Sequence, residues 1–120
     1  MPIRYKVVKK KTRMSCMVNG NSKYALQYLP ETIVTAKEGT LGIMTFTSKY
    51  RAELFMTIGF NGYDFECIKV EAIGRGTCPH EIANHTDTDS LEYFYDNPGT
   101  TWVGKPPLDT MCYPAVKVLE

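Results

Sequence analysis

Hydrophobic positions along this chain change period within one stretch, residues 37–59, KEGTLGIMTFTSKYRAELFMTIG. Glu38-Gly39 signals a turn, and Leu41, Ile43, Met44 and Phe46 then form an apolar run too short for an ordinary helix, which predicts a strand covered on both faces. Thr47 and Ser48 can each accept a hydrogen bond from the backbone N–H groups that a helix start leaves unpaired. Tyr50, Leu54 and Ile58 recur every four residues with Phe55 beside them. A helix closed by Gly59 is therefore predicted, with that stripe against a sheet and Lys49, Arg51 and Glu53 in water.

The flanking segments read mostly as strands. Residues 5–9 alternate loosely, and a basic connection follows. Residues 14–18 and 23–28 flank Asn19-Gly20-Asn21, the clearest hairpin signal in the chain. Residues 32–35 are a short β-branched run. After the helix, Asn61-Gly62 turns the chain into a strand over 63–73, whose alternation slips at Cys67 and Ile68 and so predicts a bulge or a crossing from one sheet face to another. Asp89-Ser90-Leu91-Glu92 reads as a capping box opening a second short helix that runs through Tyr95. Residues 111–119 form a closing strand with Val116 and Val118 on one face and Lys117 on the other, and Pro114 places it at an edge or a bulge. The expected fold is α+β: one domain spanning 1–120, with a mainly antiparallel, strongly curved sheet of six to seven strands and two short helices.

Composition narrows the class. A chain of 120 residues, 43% hydrophobic, can bury one core. No apolar stretch reaches the length of a membrane span, and the opening MPIRYKVVKKK lacks the apolar centre of a secretory signal, so a cytoplasmic location without a membrane partner is expected. Cys16, Cys67, Cys78 and Cys112 form no CxxC pair and read as reduced thiols, mostly in the core. Net charge is only +1, yet residues 1–30 carry seven bases and no acid, while the remaining ninety carry seven bases and thirteen acids. Such asymmetry favours a homo-oligomer.

Five groups of residues can carry chemistry. Arg75 and Gly76, within Gly74-Arg75-Gly76-Thr77, can offer a guanidinium and backbone N–H groups to an anion, although the loop is neither a P-loop nor a dinucleotide fingerprint. Tyr93, Tyr95 and Trp102 gather aromatic surface around a Pro-Gly turn, suited to a ligand or a protein partner. Lys9, Lys10, Lys11 and Arg13 can track a phosphate backbone, with Tyr5, Tyr24 or Tyr28 for stacking; a pI near 7.6 weighs against nucleic acid. Cys78, His80, His85 and Cys112 are zinc-ligand types at a spacing that matches no common finger, so no metal and no cofactor are expected. An enzyme acting on a nucleotide or phosphoester would use His80 or His85, oriented by Asp87 or Glu81, with Arg75 as clamp. No nucleophile stands in a recognisable setting, and this is the alternative reading.

The stretch KYALQYLPETIVTAKEGTLGIMTF and the closing CYPAVKVLE resemble small accessory proteins of phages and prophages. The resemblance implies a compact binding protein, an anti-defence factor that sequesters an anionic nucleotide ligand or blocks a host protein. On that reading the expected ligand contacts are Arg75, Gly76, Tyr93, Tyr95 and Trp102.

Overall fold

The computed structural model describes residues 2–16, 23–56, 64–79, 82–83, 95, 103–104 and 106–120. Within them the chain runs β1 (Ile3–Lys9), β2 (Ile33–Thr35), β3 (Ile43–Phe46), α1 (Lys49–Met56), β4 (Phe65–Ile73), β5 (Ile82–Ala83), β6 (Val103–Gly104), β7 (Thr110–Tyr113) and β8 (Ala115–Val118). Six strands form one antiparallel sheet in the order β2-β8-β4-β1-β3-β7, and β5 pairs with β6 separately. This is the expected single domain built mainly of antiparallel sheet. One helix is present among the described residues; the second predicted helix, apart from Tyr95, lies outside them.

The sheet bends because of its connectivity. β7 stands at one end of the strand order and β8 next to the other end, yet only Pro114 separates them. Following the pairings, β1 leads to β4, β4 to β8, β8 through Pro114 to β7, β7 to β3, and β3 back to β1. Gly74 follows β4 at this corner with φ +86°, and a Cβ there would come 2.5 Å from the Pro114 ring. A left-handed glycine lets both strands turn together where any side chain would collide. Beyond the corner, Thr77 exchanges backbone hydrogen bonds with Cys112 at 2.9 and 2.8 Å, continuing the β4 side along β7.

Each face of the sheet carries its own apolar cluster. The inner one gathers Val8, Ile43, Ile68, Val70, Tyr113, Val116 and Val118 around Tyr28. The outer one packs Val7, Cys16 and Phe46 against Ala52 and Phe55 of α1, with Phe46 and Phe55 tilted rings 5.4 Å apart. Two covered faces explain why the slip at Cys67 and Ile68 is no bulge. The β1–β4 register is unbroken from Ile3↔Glu71 to Lys9↔Phe65, with Cys67 serving the outer cluster and Ile68 the inner. Apolar residues stand side by side because both directions lead indoors.

The helix departs from its expected stripe. Ser48 Oγ accepts from the Arg51 backbone N–H at 3.4 Å, as a cap should. However, Tyr50 is 68% and Leu54 43% exposed, and the buried side chains are Ala52 and Phe55. A short helix set across strands buries only the narrow arc nearest the sheet, and the small Ala52 allows the close approach. The 14–18/23–28 hairpin is present in part: Met14 bridges Gln27 and Ser15 bridges Val8, with no regular strand on either side among the described residues.

Candidate functional site

The site begins with a change of partner along β1. One edge of β1 pairs with β4 over its whole length, from Ile3 to Lys9. Its other edge meets β3 at Tyr5↔Phe46 and then Ser15 at Val8↔Ser15. Lys6 and Val7 therefore sit where β3 leaves and the 14–16 segment enters. A cavity of about 80 Å³ occupies this fork, lined by Lys6, Cys16, Tyr24, Tyr28, Tyr95 and Cys112 among others. Ile43 and Met44, adjacent on β3 and so pointing to opposite faces, both contribute, as expected of a gap within a sheet.

Lys6 is 6% exposed, and its ammonium lies 5.4 Å from the Tyr28 ring centroid. Among the described residues no carboxylate or carbonyl bonds to it. Its titratable neighbours are held neutral at ordinary pH. Burial pushes the thiols of Cys16 and Cys112 up, Cys112 to about 11, and burial likewise raises the phenols of Tyr28 and Tyr95. A ring under an ammonium contributes about 2 kcal/mol when desolvated. Removing one ion from water costs several kcal/mol even after relaxation. The ammonium thus stands on the cavity wall against a ring, with no anionic partner among the described residues.

The aromatic wall is fixed by local contacts. The Tyr95 hydroxyl accepts from the Leu41 backbone N–H at 3.1 Å, and its ring lies 5.0 Å from that of Tyr24 at 47°. Gly42 lines the cavity beside Leu41 with φ +104°, and a Cβ there would stand 2.9 Å from the Tyr113 carbonyl oxygen. Only glycine lets this loop lie so close to β7. Lys37 adds a second cation from an exposed position on the lining.

The residues expected from sequence are distributed as follows. Tyr95 lines the cavity. Gly76 packs against β7, where an added Cβ would meet the Tyr113 ring at 2.7 Å, and Arg75 beside it is exposed and not part of the lining. Tyr93, Trp102, His80 and His85 lie outside the described residues. Cys112 is buried and Cys78 exposed, both free thiols, and no cluster of metal-ligand types occurs among the described residues. In the basic run Lys10 and Lys11 face solvent, whereas Lys9 is only 7% exposed and burial lowers its pKa. Arg13, at φ 62°, is committed internally: it donates to the Tyr28 carbonyl at 2.7 Å, to Glu66 at 3.0 Å and to the Glu120 carbonyl. Lys6, which lines the cavity, is not among the residues expected from sequence.

No known protein family, no curated protein and no solved structure matches the chain. No helix among the described residues is long and apolar enough to cross a membrane.

Proposed function

We propose that this is a cytoplasmic, non-enzymatic binding protein that captures a small anionic ligand in the fork between β1 and β3. The supporting observation is Lys6, a cation buried in a cavity whose neighbours supply no negative charge. A ligand that brings the anion relieves the cost of that burial, and this relief is a source of affinity. Tyr24, Tyr28 and Tyr95 give the rest of the ligand apolar surface. The resemblance to phage accessory proteins adds a purpose: capture would withhold the ligand from a host system, with a host protein as the other partner class. The uneven charge along the chain supports a homo-oligomer, which light scattering at low and high salt tests; a monomer at both overturns assembly through charge.

The ligand itself is tested with protein purified from cells, heat-denatured, and examined for released small anions by negative-ion mass spectrometry. An intact anion should be recovered from wild type and not from Lys6→Met. Equal recovery from both removes Lys6 from the site, and recovery of only a reaction product favours the enzyme reading instead.

A further inference from the structure

Resting on that anion-binding reading, we infer that the site selects a small monocarboxylate with an apolar body, not a phosphate or a nucleotide. Charge supplies the first reason. Lys6 is the one buried cation of the lining, and Lys37 is exposed, so a single negative charge is matched within the cavity. A phosphate dianion would leave a net negative charge among Tyr28, Cys16 and Cys112, where every neighbouring acid is neutral and uncompensated charge costs several kcal/mol.

The second reason is the donor set. Phosphates are held by arginine forks, helix N-termini or successive backbone N–H groups. The described lining contains no arginine and no residue of α1. Of the backbone N–H groups on the lining, that of Leu41 is already spent on the Tyr95 hydroxyl and that of Gly42 on the Thr40 hydroxyl. A carboxylate needs less, because both of its oxygens can accept from the one ammonium.

The third reason is size. At about 80 Å³ the space is roughly half of an apolar cavity of ~150 Å³ that accepts benzene. A body of a few carbons fits, and a nucleoside does not. Leu26, Ala36, Ile43 and Met44 present apolar atoms to that body.

The test titrates wild-type protein, followed by calorimetry and NMR shift perturbation, with butyrate, isovalerate, butyramide, inorganic phosphate and adenosine monophosphate. Butyrate and isovalerate should bind, with shifts at Ile43, Met44 and Cys112, and the other three should not. Lys6→Met should weaken carboxylate binding by about tenfold or more. Binding of phosphate or the nucleotide in preference to the carboxylates overturns this inference and leaves the anion-binding reading standing. Binding of the neutral amide as tightly as butyrate, undiminished carboxylate binding by Lys6→Met, or no binding by any probe overturns both. Because a methionine replaces a buried charge with a side chain of similar length, this variant is expected to fold; retained thermal unfolding and an unchanged far-ultraviolet spectrum verify that.

Discussion

The two faces of β1 teach opposite lessons about burial. Outward, Val7 lies among Phe46, Ala52 and Phe55, an all-apolar contact between sheet and helix. Inward and one residue earlier, Lys6 brings a charge to the edge of the other cluster, next to unfilled space. The first arrangement is what close packing rewards. The second gives up stability, and proteins keep such features where something is to be bound.

The contrast sets the order of expected effects. Phe55→Ala, which empties the outer face, should cost about 3–5 kcal/mol in denaturant unfolding while leaving anion binding within reach at low temperature. A loss below ~1 kcal/mol would mean that α1 is not the packed lid of that face. Gly42→Ala, on the inner side, forces a side chain onto φ +104° and against the Tyr113 carbonyl, and should cost about 1–3 kcal/mol. Measured stability equal to wild type would show that the loop beside the cavity can move away from β7.

Alkaline pH sharpens the comparison through Cys112. Its thiol, ordinarily at 9.0, is pushed up to about 11 by burial. Below pH 9 both folded and unfolded chains keep the proton and pH has no effect. Between pH 9 and 11 the unfolded chain releases its proton first, binds fewer protons than the folded one, and stability falls as pH rises. At about 1.4 kcal/mol per unit the total is on the order of 3 kcal/mol. Cys16, Tyr28 and Tyr95, raised for the same reason, act with the same sign. Urea midpoints at pH 8, 9, 10 and 11 for wild type and Cys112→Ala check this; identical slopes would remove the thiol's share.

Smaller effects complete the series. Ser48→Ala removes the cap of α1 and should cost about 1 kcal/mol. Lys6→Met should be neutral or mildly stabilising, since replacing a buried charge with an apolar chain of similar length often is. A loss comparable to that of Phe55→Ala would mean Lys6 holds the fold together instead of holding a ligand.

Much of the architecture was legible because local rules suffice for it. Val116, Lys117 and Val118 alternate as read and Ser48 caps the helix, but the single closing strand expected over 111–119 is two strands, because Pro114 breaks it between β7 and β8. The errors fell where two signals share one pattern. Cys67 and Ile68 look like a slip when one face is assumed wet, and Tyr50 with Leu54 look like a buried stripe because four-residue spacing does not say which arc meets the sheet. The cavity was not legible at all. It is made by Lys6, Tyr28, Tyr95 and Cys112, positions far apart in the chain, and a lysine in a strand of alternating charge carries no local mark of burial. A useful hint was available in the parity of β1, where Lys6 shares its side with Val8.

The single-residue link between β7 and β8 has a consequence for how the protein is made. The circuit of strands cannot close until residues 110–118 have left the ribosome, and Arg4 then donates to a Tyr113 hydroxyl 109 positions away. A nascent chain stopped before that point holds β1, β3 and β4 with two unmated edges. Folding should therefore wait for these two strands and be slow, with the last of them acting as a zip fastener.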